Sequence, residues 1–115
     1  MSGEENGRVV VLCERLLEAT RKHAADWNRE AEDLFVWKGS QGTVSIGSRD
    51  KDGEPPYQLT VVNADGDTLE ELRSDLVADD QPAPWNEPLA GLYRAARRRA
   101  LKADEVLEAM IEALR

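Results

Sequence analysis

The amino-acid sequence predicts an α+β domain: an N-terminal helix, a three- or four-stranded antiparallel meander sheet, and a long C-terminal helix that could bend near Lys102. Apolar residues recur three and four positions apart at both ends of the chain, the spacing of a helix with one buried face. Between those ends they alternate with period two, as in half-buried strands. No internal repeat or inter-domain linker interrupts the pattern, so residues 7–115 read as one domain preceded by a small, polar, acidic tail at residues 1–6 that is expected to be disordered.

In the first helix, placed at roughly Gly7 to Glu32, Val9, Leu12, Cys13, Leu16, Leu17, Thr20, His23, Ala24 and Trp27 share one face. No Gly or Pro interrupts it after residue 7. Leu34 to Trp37 is a short, bulky, β-prone run, followed by a reversal through Gly39 and Gly42. Thr43 to Ser48 sets Val44 and Ile46 on one face and small hydroxyls on the other. The charged stretch Arg49 to Pro56 is a loop, and Tyr57 to Val62 is a strand with Tyr57, Leu59 and Val61 facing inward.

Asp65-Gly66 is a hairpin turn signal. After it, Thr68 and Glu71 have capping-box spacing, and Leu69, Leu72 and Leu76 fit a short helix over residues 69–77. The hairpin geometry favours a fourth, edge strand over Thr68 to Arg73 instead. Ala78 to Pro88 is an irregular connection in which Trp85 pins the chain to the core.

The last helix, Asn86 to Arg115, carries a stripe of Leu89, Tyr93, Ala96, Ala100, Ala103, Leu107, Met110 and Leu114, bulky at its ends and small in its middle. A continuous helix from Glu87 onward would reach about 43 Å, beyond what a short-stranded sheet covers. Leu101 lies off the stripe, so either it is exposed or the helix breaks: with a bend it can fold into a monomer, and without one this helix is where a second chain is expected. Asp104 could cap a second helix after such a break, whereas the absence of Gly and Pro favours continuity.

Composition excludes several classes of function. A formal net charge of -8 opposes sequence-independent binding to nucleic acid, which depends on Lys and Arg neutralising phosphates. No apolar run approaches membrane-spanning length, and the N-terminus lacks the basic region and apolar core of a signal peptide, so no membrane association and a cytoplasmic location are expected. The single cysteine, Cys13, fits a reducing compartment.

Motifs for chemistry are lacking. Cys13 and His23, if on one helix, stand about 15 Å apart along its axis and cannot form a nucleophile–base pair. They read as a buried thiol and a core-edge imidazole. One His and one Cys do not make a structural zinc site. Asp50 to Glu54 and Asn63 to Asp67 resemble calcium loops only in part, because the glycine comes too early and the later bidentate Glu is missing. No catalytic residue, metal or cofactor is assigned.

The concentrated basic feature is Arg94, Arg97, Arg98 and Arg99, which follows an acidic segment at residues 65–80. It reads first as a solvated helix face and second as a site for an anionic partner. The leading functional expectation is a non-catalytic protein-interaction or adaptor module, homodimeric through its C-terminal helix, with Tyr93, Arg94, Arg97, Arg98, Leu101, Met110, Trp37 and Trp85 as contacts. The second is an acidic inhibitor or antitoxin-like protein that masks a basic partner through residues 65–80. The third is a small enzyme or metabolite-binding protein.

Overall fold

The computed structural model describes residues 2–48, 56–74 and 84–115, with side chains from residue 7. Its elements run α1 (Ser2–Arg21), β1 (Asn28–Ala31), β2 (Leu34–Lys38), β3 (Gly42–Ser48), β4 (Tyr57–Asn63), β5 (Thr68–Arg73), α2 (Asn86–Ala100) and α3 (Ala103–Ala113). The five strands form one antiparallel meander in sequence order. The expected loop at residues 49–55 and most of the connection before α2 lie outside the described residues.

The alternation of apolar side chains decides which face of the sheet is covered. Phe35, Ile46, Leu59 and Leu72 are register partners across β2 to β5 and form a row of buried side chains. Leu89, Leu92, Tyr93 and Ala96 of α2 and Val9, Cys13 and Leu16 of α1 pack on the same cluster, so both helices cover one sheet face. On the other face Ser45 pairs with Thr60, small polar residues that leave the surface half-exposed. At the close approach of α1 to α2, Gly91 supplies the room: a Cβ there would sit 3.2 Å from the Leu17 side chain.

The expected strand at Thr68–Arg73 is present, and the Asp65-Gly66 turn works as its composition suggests. Gly66 has φ 92°, and the Asn63 carboxamide oxygen accepts from the backbone N–H of Asp65 and of Asp67. Trp85 does pin its segment: its indole N–H donates to the Arg73 carbonyl at 2.6 Å.

Three expectations are corrected. First, the N-terminal helix ends at Arg21, not near Glu32. It closes without glycine, because His23 takes a left-handed conformation (φ 61°) while Ala24 N–H donates to Ala19 O and His23 N–H to Thr20 O, the paired bonds of a Schellman turn. Trp27 then belongs to the exit from the helix. Its indole N–H donates to Thr20 Oγ1 at 2.8 Å, and Thr20 donates to the Leu16 carbonyl at 2.6 Å, all within the core.

Second, the sheet has five strands rather than three or four, since the chain released at His23 adds β1 to the edge beside β2. Third, the C-terminal helix is not single: Leu101 leaves helical geometry, Lys102 adopts φ 54° and ψ 44°, and α3 starts afresh at Ala103. Asp104 does not cap it; the cap position is Lys102, with no side-chain cap bond. A left-handed non-glycine residue costs about 1–2 kcal/mol. That cost is offset at the break by half-burial of Leu101 and by ion pairs described below.

Candidate functional site

The helix α3 has no buried residue. Val106, Leu107, Met110, Ile111 and Leu114 are between 47% and 87% exposed, which corrects the expectation that this end of the stripe belongs to the core. Projected at 100° per residue, Asp104, Glu105, Glu108, Glu112 and Arg115 fall in one arc of about 100°, and the apolar residues with Ala109 and Ala113 fill the remainder.

The first turn shows how α3 is held. Arg98 pairs with Asp104 at 2.5 Å, Arg99 approaches Glu105 at 3.7 Å, and His23 Nε2 lies 3.6 Å from Asp104. Arg99 also holds Asp26, at 2.8 Å, and its guanidinium lies 3.3 Å from His23 Nδ1. If Nδ1 accepts from Arg99, the imidazole proton belongs on Nε2, which faces Asp104. Asp26, Arg99, His23, Asp104 and Arg98 thus link the exit of α1, the end of α2 and the start of α3. The first-turn acids Asp104 and Glu105 tie α3 to the body, while beyond them both the charged and the apolar arcs are exposed.

Beside this junction lies a cleft of about 370 Å³ whose walls include Arg21, His23, Gly91, Arg94, Arg98 and Arg99. Asp104 and Glu105 close one side. Among the described residues, Arg21 and Arg94 have no carboxylate partner.

The expected contact residues are dispersed. Arg94 and Arg98 line the cleft, Leu101 is half-buried at the break, and Met110 is 58% exposed on α3. Arg97 is exposed on α2. Tyr93 is buried: it stacks on Tyr57 with ring centroids 4.5 Å apart, and its hydroxyl donates to Asp33 at 2.9 Å. Burial and that carboxylate push its pKa up to about 12. Trp37 lines a separate apolar groove of about 300 Å³ with Leu12, Val61 and Leu69. Trp85, at the start of α2, lies about 24 Å along the helix axis from Leu101.

Sequence reasoning missed His23, Asp26 and Asp104 as a group, because residues so far apart carry no shared local pattern. His23 is exposed, not core-edge, since it sits beyond the end of α1. Cys13 is buried as expected, and burial pushes its thiol up to about 12, which keeps it protonated and poorly nucleophilic. Of the acidic segment, residues 75–80 lie outside the described structure; Asp65 and Asp67 are exposed in the β4–β5 turn. No helix among the described residues is long and apolar enough to cross a membrane. No family model, curated protein or solved structure matches this chain.

Proposed function

We propose that the protein is a non-catalytic interaction module that self-associates through α3. The observation that carries this reading is the exposed apolar arc of α3, a helix whose first turn is tied to the body by Arg98–Asp104. An isolated helix of 11 residues is marginal in water, and α3 gains no buried side chain from its own domain. A contact on the apolar arc would supply the missing packing.

A second copy suits that arc. A two-fold contact sets the same patch against itself. The four acids of α3 lie on the opposite side, so two such helices can meet without facing like charges, and Ala109 and Ala113 allow close approach. A standard interface uses about 20–30 residues a side, more than α3 alone offers, so the association is weak and concentration-dependent.

Sedimentation velocity across a wide concentration range tests this. A monomer–dimer equilibrium is expected, abolished by Met110→Glu or Ile111→Glu and unchanged by Glu108→Gln. A strict monomer throughout, or a dimer indifferent to both glutamates, would overturn the reading.

A further inference from the structure

We infer that the cleft between the end of α1 and α2 is a binding site for a small phosphorylated ligand, recognised through its phosphate dianion. The chain as a whole is acidic, at -8, yet four guanidinium groups converge on this one cleft. Two are already neutralised: Arg98 by Asp104, and Arg99 by Asp26 and Glu105. These pairs hold the walls in place. Arg21 and Arg94, on opposite helices, remain without a carboxylate among the described residues. With Asp26, Asp104 and Glu105 counted against the four arginines the cluster keeps a net positive charge, and the planar forks of the two unpaired guanidiniums suit the tetrahedral oxygens of a phosphate.

The floor of the cleft is shaped for close approach. Gly91 lies beneath Arg21, whose Nη2 is 4.0 Å from the place a Cβ would occupy. A side chain there would crowd Leu17 and approach Arg21. The cleft, at about 370 Å³, falls in the lower part of the range for small-molecule sites, which fits a phosphate carried on a compact organic body rather than a polymer. His23 adds a polar group at the exit from α1. This site is distinct from the apolar arc of α3 and does not depend on self-association.

The test is titration of the full chain, followed by amide NMR, with inorganic phosphate, adenosine monophosphate and acetate at matched ionic strength. Shifts are expected at Gly91 and Ala95 with both phosphates and not with acetate, and they should weaken as sodium chloride rises. Arg21→Gln combined with Arg94→Gln should weaken binding at least about tenfold, since each removes charge-assisted hydrogen bonds. The thermal transition of that variant shows whether the fold is kept; Arg97→Gln, outside the cleft, should bind as the parent does. Tighter binding of the nucleotide than of phosphate would support recognition of the organic body as well, and equal binding would restrict recognition to the phosphate. Equal shifts with acetate, no shift at Gly91 and Ala95 at millimolar phosphate, or unchanged affinity in the folded double variant would each overturn the proposal.

Discussion

Asp104 meets Arg98 at 2.5 Å across the break between α2 and α3, and this pairing ties the first turn of α3 to the end of α2. Both side chains are more than half exposed, so solvent screens the pair and its worth is at most about 1 kcal/mol. Asp104→Ala should therefore leave the global thermal transition almost unchanged. It should raise amide hydrogen exchange selectively in α3, because it also removes the contact to His23. Exchange in α3 equal to that of the parent would mean the pair does not hold the helix.

The buried link between Trp27 and Thr20 calls for the opposite balance. Thr20→Val keeps the shape but removes the acceptor for the indole N–H and leaves that donor buried and unpaired. A loss of about 1–3 kcal/mol is expected in denaturant unfolding, while Thr20→Ser should retain most of the stability. A valine variant as stable as the parent would show that the hydrogen bond contributes nothing net.

Much of the fold was legible because its signals are local. Val44 with Ile46 and Leu59 with Val61 alternate as the strands require, and Asp65-Gly66 marks the one hairpin whose turn chemistry is explicit. Asn28–Ala31 has no such alternation: all four residues are exposed, and the strand exists because the chain stops at His23 and is delivered to the edge of β2. The stop at His23 went unread and the one at Lys102 stood only as an alternative, since each uses a left-handed non-glycine residue, which carries no sequence signal of the kind Gly or Pro gives. Periodicity put Leu107, Met110 and Leu114 on one face correctly, but it carries no information on what that face meets. The arginine cluster was visible as composition; its carboxylate partners Asp26, Asp104 and Glu105 were not, because they come from the segment between α1 and β1 and from α3.

Alkaline pH should destabilise the protein through two buried acids. Burial raises Cys13 from an ordinary 9.0 to about 12, and burial with the Asp33 hydrogen bond raises Tyr93 from 10.0 to about 12. For both groups the folded state favours the protonated form, so their contribution is complete below pH 9 and is lost as pH climbs from there toward 12. Unfolding free energy measured by denaturant titration should thus decline over that window, and Tyr93→Phe should make the decline shallower. Native Cys13 should resist thiol reagents at pH 8 and react once the chain is unfolded. A flat profile to pH 12, or rapid labelling of the folded protein, would contradict the burial of these groups.

Lys102 should behave as the hinge that separates a bent from a straight C-terminal segment. A β-branched residue tolerates the left-handed region poorly, whereas it fits an ordinary helix. Lys102→Ile should therefore shift the chain toward one continuous helix through α2 and α3, at the expense of the Arg98–Asp104 pair, and Lys102→Gly should preserve the bend. Spin labels at Glu87 and Glu112, introduced as cysteines on a Cys13→Ala background, report the difference. A straight helix places these positions about 37 Å apart along the axis, and the bent parent must give a shorter distance. The isoleucine variant is expected to add a population near the longer value. An identical short distance in parent, glycine and isoleucine variants would show that contacts around the break, rather than the backbone preference of residue 102, determine the bend.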